Sequence, residues 1–176
     1  VASGRFLDDE VPNVNGPTAG GDVAWNADIT GFFYTRYPRP GERPLDELQF
    51  YQQVHFHKLG TPTGEDRYEI GEQFPAIAEI ELEESDDRQL VLASVANGDG
   101  GEYAHYLRQP SGNWIQITQF SDMIPTVKLA PDNSLFLLSY KDALRGKILR
   151  LASGETSLSN ARLIVPESDA VIQSIV

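Results

Sequence analysis

Cysteine is absent from the 176 residues of this chain, which excludes disulfide bonds, thiolate metal sites and a cysteine nucleophile. Basic residues are also scarce, since 14 Lys and Arg against 26 Asp and Glu give a formal net charge of -12. Because nucleic-acid affinity depends largely on neutralising phosphates with Lys and Arg, a nucleic-acid partner is not expected. We interpret the acidic surface as an aid to solubility, not as a docking site.

Long hydrophobic runs are missing too. No stretch of about 18 apolar residues occurs, so no membrane span and no membrane partner are predicted. The N-terminal residues show neither a basic n-region nor an apolar h-region, so no secretory signal is visible. Residues Val1 to Arg5 look like the middle of a strand and turn, which suggests a start inside a longer protein. We expect a soluble protein, cytoplasmic or periplasmic, with the compartment unknown.

Helical periodicity is weak throughout, although 40% of the residues are hydrophobic and 10% are aromatic. Short runs rich in Val, Ile, Leu, Phe and Tyr recur instead between clusters of Gly, Pro, Asp, Asn and Ser, which is typical of strands and turns. One group of four runs is the clearest, and it predicts a four-stranded antiparallel meander: Ala78 to Leu82, Leu90 to Val95, Tyr103 to Arg108 and Trp114 to Phe120.

The same pattern occurs on both sides of this group, with a spacing of about 45 residues, which is the period of a four-stranded propeller blade. The sequence therefore predicts an all-β fold: a partial β-propeller of about three four-stranded antiparallel blades plus strands of the flanking blades. The predicted boundaries are the end of a preceding blade and a loop over 1–21, blades over 22–75, 76–121 and 122–170, and the first strand of a next blade over 171–176. Arg5 to Val11 would be the outer strand of the preceding blade. Since propellers protect strand edges by closing a ring, self-association through exposed blade edges is also expected.

Several segments carry a more specific likeness, and they follow one another in blade order: AWNAD at 24–28 with GFFYTRYP at 31–38, QVHFHKLGT at 53–61 followed by Glu65 and Asp66, DALRGK at 142–147 and VPES at 165–168. Across nearly the whole chain the sequence resembles the propeller domain of the prolyl oligopeptidase (prolyl endopeptidase) family of serine peptidases.

The resemblance implies a function. In that family a seven-bladed propeller caps an α/β-hydrolase domain whose Ser, Asp and His cut short peptides after proline, and the propeller restricts access to small substrates. No G-x-S-x-G nucleophile elbow occurs here, because Ser3, Ser111 and Ser153 lack the preceding glycine. The chain by itself is not expected to be an enzyme and has no catalytic residues. The expected partners are the α/β-hydrolase domain, the remaining blades and, in the parent protein, short proline-containing peptides. The alternative is a non-enzymatic propeller scaffold for protein–protein interaction.

Strand order predicts which face is functional, because in a meander the loops before the first strand and between the second and third strands lie on one side. That side collects residues 13–22, 36–48, 74–77, 96–102, 121–125, 140–146 and 166–170. The resemblance implies that this side faces the hydrolase domain, with Pro75 and Asp99 directed towards the substrate chamber. Gly20 falls where some relatives carry an aromatic side chain. Candidate interdomain salt bridges come from four arginines in these loops: Arg36, Arg39, Arg43 and Arg145.

Two further patterns have simpler explanations than a functional site. His55 and His57 point to the same face of one strand, as zinc ligands can, but no third ligand has suitable spacing, so we interpret them as structural. Glu79, Glu81 and Glu83 alternate with apolar residues, and with Glu84 we interpret them as a solvated strand face, not as a glycosidase pair. No metal site and no cofactor are predicted.

Overall fold

A computed structural model describes residues 4, 9–16 and 20–175 of the chain. It contains three four-stranded antiparallel sheets, in each of which consecutive strands are neighbours. The first sheet consists of β1 (Val23–Trp25), β2 (Gly31–Arg36), β3 (Gln53–Lys58) and β4 (Arg67–Ile70). The second sheet consists of β5 (Ala78–Glu84), β6 (Val91–Asn97), β7 (Tyr103–Arg108) and β8 (Trp114–Thr118). The third sheet consists of β9 (Thr126–Leu129), β10 (Leu135–Ser139), β11 (Lys147–Leu151) and β12 (Arg162–Val165). Within the described residues only short 3-10 helices interrupt the strands. The predicted all-β partial propeller is confirmed.

The alternation of residue types along β5 explains how a blade packs. Ala78, Ile80 and Leu82 are buried, while the glutamates between them are less buried. Successive side chains of a strand point to opposite faces of the sheet, so an apolar residue at every second position gives one continuous apolar face. That face packs against Phe33 and Val54 of the first sheet. A second apolar cluster, formed by Leu92, Leu107, Ile117, Ile124, Val127, Leu135, Leu137 and Leu151, joins the second sheet to the third.

The turn that joins the first two strands is built the same way in all three blades. An aspartate accepts hydrogen bonds from a backbone N–H two residues later and from a nearby hydroxyl, at Asp28, Asp87 and Asp132. The residue after each aspartate has a positive φ of 55–60°: Ile29, Arg88 and Asn133. The aspartate bonds hold the chain in this less favourable conformation. This repeated geometry makes the three aspartates structural residues of the turns.

Carboxylates in or next to the first strand of a blade, which we call its inner strand, connect neighbouring blades. Asp22 Oδ2 accepts from the Leu82 N–H at 2.8 Å, and Glu84 Oε2 accepts from the Trp25 N–H at 3.3 Å. Glu83 binds the third blade through the Leu129 N–H at 3.2 Å and Lys128 Nζ at 2.9 Å. The interpretation of Glu83 and Glu84 as part of a solvated face is therefore wrong. Inner strands have a free edge, and these carboxylates satisfy backbone donors at that edge.

The two ends of the chain carry no strand in the described residues. Residues 171–175 have no strand pairing, and neither do residues 9–16. The predicted outer strand over Arg5 to Val11 lies mostly outside the described residues. The predicted strands of flanking blades stay predictions. Among the residues that the structure describes, no helix is long and apolar enough to span a membrane.

Candidate docking face

Five loops lie on one side of the three sheets, as antiparallel topology requires. Three of them join the second and third strands of a blade: 37–52, 98–102 and 140–146. The other two connect one blade to the next: 71–77 and 119–125. We call this side the loop face. Large apolar side chains are exposed in four of its loops: Leu45, Phe50, Ile77, Met123 and Leu144. Leu144 is 85% exposed and Leu45 is 82% exposed. Single exposed apolar side chains are ordinary on a protein surface, and five of them share the loop face.

A cleft of about 490 Å³ opens on the loop face at the junction of the first and second blades. Its walls are partly apolar and partly acidic, formed by Tyr37, Gln49, Phe50, Ala76, Ile77, Ala78, Glu79, Gly98 and Asp99. Burial, and next the charge of Glu79, raise the pKa of Tyr37, so its hydroxyl stays neutral at physiological pH. The cleft therefore combines a neutral phenol, apolar walls and two carboxylates.

Both predicted chamber residues lie on the loop face, in different surroundings. Asp99 is exposed in the 3-10 turn Gly98–Gly100 and lines the cleft. Pro75 is half-buried, does not line the cleft, and accepts the Ala78 N–H at 3.0 Å through its carbonyl. Gly20 is exposed, and no heavy atom lies within 4 Å of the position that its Cβ would take. Space for a larger side chain is therefore present at Gly20. Of the two predicted chamber residues, Asp99 is better placed than Pro75 to meet a ligand, because it lines the cleft.

Arg36 is the most buried of the four arginines predicted for interdomain contacts. Its guanidinium makes a bidentate contact with Glu42, at 2.7 and 3.1 Å, and donates to the Tyr37 carbonyl at 3.0 Å. This contact, together with the Arg39 N–H, lowers the pKa of Glu42 to about 2 despite partial desolvation. The pair closes the start of the 37–52 loop back onto the first blade.

The other three arginines also have carboxylate partners within the chain. Arg39 donates to the Thr63 carbonyl at 3.0 Å and lies 3.7 Å from Asp66. Arg43 pairs with Glu47 at 3.0 Å and stacks over the Tyr51 ring at 3.6 Å. Arg145 pairs with Asp169 at 3.2 Å, and its side chain is 52% exposed. Arg145 is thus the most accessible of the four, and all four interdomain roles stay predictions.

Sequence reasoning missed the exposed apolar residues of the loop face. Met123 and Leu144 lie in turn segments rich in Asp, Pro and Lys, where an apolar side chain has no strand partner to pack on. That context was the available signal, because a turn residue outside the strand alternation does not point into a blade core.

His55 and His57 are buried in the first sheet, and no group of three or more candidate ligands for a metal occurs among the described residues.

Comparison with known proteins identifies the family. The whole chain, residues 1–176, matches the family model described as "Prolyl oligopeptidase, N-terminal beta-propeller domain". The chain belongs to this family. The predicted resemblance is confirmed, and the three blades are blades of the family's N-terminal propeller.

Two curated relatives are prolyl endopeptidases. The protein from Elizabethkingia meningoseptica is 30% identical over 132 residues, which cover 73% of this chain and 18% of the relative. The protein from Elizabethkingia miricola is 32% identical over 124 residues, covering 69% of this chain and 17% of the relative. The chain thus spans about a fifth of the length of the curated relatives that it matches.

Solved structures of the family share the fold. A structure from a study of two prolyl endopeptidases superposes with a TM-score of 0.69 at 20% identity, over 88% of this chain and 22% of that one. Apo prolyl oligopeptidase B from Galerina marginata gives a TM-score of 0.67 at 16% identity, over 96% of this chain and 23% of that one. Oligopeptidase B from Leishmania major gives a TM-score of 0.67 at 17% identity, over 94% of this chain and 22% of that one. At these identities the likeness concerns the fold alone.

Proposed function

We propose that the loop face docks onto the α/β-hydrolase domain of a serine peptidase that cleaves short peptides after proline. In this role the propeller acts as a gate and as a filter of substrate size. The observation that carries the proposal is the set of exposed apolar side chains that share the loop face. Burial of these side chains against a partner removes apolar surface from water, which is favourable in free energy.

The cleft gives the docked face a second role. Asp99 and Glu79 place two carboxylates along the cleft, and Phe50 and Ile77 form apolar parts of its wall. A cleft that opens towards the hydrolase domain would contribute to the wall of the substrate chamber. Asp99 would then meet polar parts of a peptide, and Pro75 would shape the neighbouring 71–77 loop. Such clefts with apolar walls and few polar groups are typical of small-ligand sites.

Two of the arginines are suited to interdomain contacts. Arg145 and Arg43 keep side-chain exposures of 52% and 35%. Exposed ion pairs contribute little to stability, so a new carboxylate can compete for these guanidinium groups at small cost. Arg36 and Arg39 are less exposed, and their role would be to hold the 37–52 loop in its docking conformation.

The experiment uses the full-length peptidase that contains this sequence. The double variant Ile77→Glu/Leu144→Glu places two charges in the proposed interface, and we expect looser closure of the two domains. The ratio of kcat/KM for a peptide of about thirty residues to that for a short Gly-Pro reporter should therefore rise.

Leu163→Glu is the matched control, because Leu163 is 56% exposed, close to the 52% of Ile77, but lies on the outer strand β12. It should leave the ratio unchanged. An unchanged ratio in the double variant, with both domains folded, would argue against docking through the loop face.

The outer strand of the third blade suggests a separate association. β12 is an edge strand, and Leu163, Ile164 and Val165 are 39–56% exposed. Edge strands with apolar side chains pair readily with other chains. We therefore propose that the 176-residue chain in isolation self-associates through this edge.

A further inference from the structure

Two carboxylates lie in the cleft at the junction of the first two blades. Glu79 belongs to β5, and Asp99 lies in the turn that follows β6. Because Glu79 pairs with Ala96 in register, the end of β6 lies beside the start of β5, and both carboxylates line the same cleft. Neither makes an ion pair within the described part of the chain. No basic side chain is among the described residues that line the cleft, so its charge is negative and unbalanced.

Backbone contacts fix the walls of this cleft. The Tyr51 N–H donates to the Ala76 carbonyl at 2.7 Å, which joins two loops of the loop face. Gly98 has a φ of 58°, and a Cβ at this position would lie 2.8 Å from Cδ1 of Ile77. The turn that carries Asp99 therefore packs directly against the Ile77 side chain. A cleft held in this way needs little ordering when a ligand binds.

Tyr37 is an independent indication that the cleft takes a polar ligand. It lines the cleft and is 6% exposed, and its hydroxyl makes no hydrogen bond with the described residues. Buried polar groups usually have a hydrogen-bond partner. Burial, and next the charge of Glu79, raise the pKa of Tyr37, so the hydroxyl lies within reach of the field of that carboxylate. A polar ligand group in the cleft would supply the partner of this hydroxyl.

The residues of the cleft favour an organic cation over a metal ion. Calcium takes six to eight oxygen ligands, and no group of three or more candidate metal ligands occurs among the described residues. An ammonium group has three N–H donors, which suit the carboxylates of Glu79 and Asp99 and the Tyr37 hydroxyl. The apolar stem of a lysine can pack on Phe50 and Ile77, which are 41% and 52% exposed. The face of the Phe50 ring also attracts cations.

We propose that this cleft is a subsite for a cationic group of a peptide, either the α-ammonium of its first residue or the ammonium of a lysine side chain. The subsite selects substrates only if the loop face borders the substrate chamber, so its role in catalysis rests on the proposed function. The cationic group then lies away from the bond that is cleaved, because the hydrolase domain cleaves that bond. The net charge of -12 also attracts cationic peptides to this chain before they bind.

The test measures peptide binding to the full-length peptidase that contains this sequence. The probes are three forms of Ala-Ala-Lys-Ala-Ala with a C-terminal fluorophore, which lack proline, so that fluorescence anisotropy reports binding apart from cleavage after proline. One form has an acetylated N-terminus and a free lysine, one has a free N-terminus and acetyl-lysine, and one is acetylated at both groups. At least one charged form should bind about fivefold more tightly than the neutral form, since each exposed ion pair contributes a small favourable energy. The form that does so identifies the source of the cation.

The double variant Glu79→Gln/Asp99→Asn should abolish this preference. Its matched control is Glu81→Gln/Glu102→Gln, which removes the same charge from the same strand and the same loop. Glu81 and Glu102 are exposed and do not line the cleft. The control variant should therefore keep the fivefold preference.

Two results would overturn the subsite. One is equal affinity of the three peptides for the wild-type protein, as expected if a residue of the hydrolase domain fills the cleft. The other is loss of the preference in the control variant, since the effect would then come from the overall charge of the chain. Both results leave the docking proposal standing, because the length ratio of the Ile77→Glu/Leu144→Glu variant tests docking separately.

Discussion

The carboxylate of Glu69 accepts a hydrogen bond of 3.0 Å from the indole N–H of Trp114, which lies on the neighbouring blade. The same oxygen accepts from Arg108 at 3.0 Å, and the other oxygen accepts from Arg67 at 2.9 and 2.6 Å. The Glu69 side chain is 4% exposed, so these donors replace its hydration. The outer strands of two blades are thus joined through one buried carboxylate.

Removing the charge of Glu69 should destabilise the junction of the first two blades. In Glu69→Gln the amide NH2 faces donors, so at least one of them loses its partner, and we expect about 2 kcal/mol less free energy of unfolding. Urea denaturation followed by tryptophan fluorescence measures the effect. Glu72→Gln is the control, since Glu72 is exposed and its side chain makes no hydrogen bond within the described residues. Equal midpoints for the two variants would contradict this account.

Gly31 begins β2 at a point of close approach. A Cβ at this position would lie 2.4 Å from the His57 carbonyl oxygen and 2.5 Å from Cζ of Phe56. Since a backbone atom cannot move aside cheaply, Gly31→Ala should lower the free energy of unfolding by about 2 kcal/mol. Gly64→Ala is the matched control, because nothing lies within 4 Å of its Cβ position. Thermal denaturation should show a lower Tm for the Gly31 variant alone.

His55 should make the protein less stable in acid. Its two ring nitrogens have no hydrogen-bond partner among the described residues, and burial, with Arg36, lowers its pKa to about 4. An unfolded chain takes up a proton at His55 near pH 6.5, but the folded chain does so only near pH 4. The free energy of unfolding therefore falls as the pH falls through this window, by up to about 1.4 kcal/mol per pH unit from this group.

His55→Phe removes that proton uptake while keeping a ring between Tyr34 and Tyr68. Urea denaturation at several pH values should show that the stability of the variant relative to wild type rises from pH 7 to pH 4. A difference that stays constant over this range would mean that His55 takes up its proton at the same pH in the folded and unfolded states.

The edge of β12 should control self-association of the isolated chain. Ile164 is 49% exposed on this edge strand, and a lysine there opposes strand pairing through charge repulsion. Sedimentation velocity should show a shift of Ile164→Lys towards monomer relative to wild type. Val171→Lys is the control, because Val171 is 57% exposed but lies outside the strands. A wild-type chain that is monomeric at all concentrations would refute the proposal.

Local sequence patterns were sufficient to predict the blades. The alternation of Ala78, Ile80 and Leu82 with glutamates predicts a strand with one apolar face, and the whole pattern is contained in five consecutive residues. The turns at Asp28 and Asp132 are local in the same way, since each aspartate bonds a residue two positions later. Repetition of these patterns along the chain predicted the number of blades, and antiparallel topology predicted a common side for the loops.

The tertiary structure decided how individual polar side chains are used. Glu83 bridges two blades through Leu129, and Glu69 meets Trp114, although 46 and 45 positions separate the partners. His57 Nε2 lies 3.3 Å from Asp9 Oδ1, although the two residues are 48 positions apart. Glu81 stays exposed on the same strand as Glu83, so residue type and local spacing do not distinguish a bridging carboxylate from a solvated one. That distinction depends on which atoms of a neighbouring blade come within hydrogen-bond distance, and packing alone sets that distance.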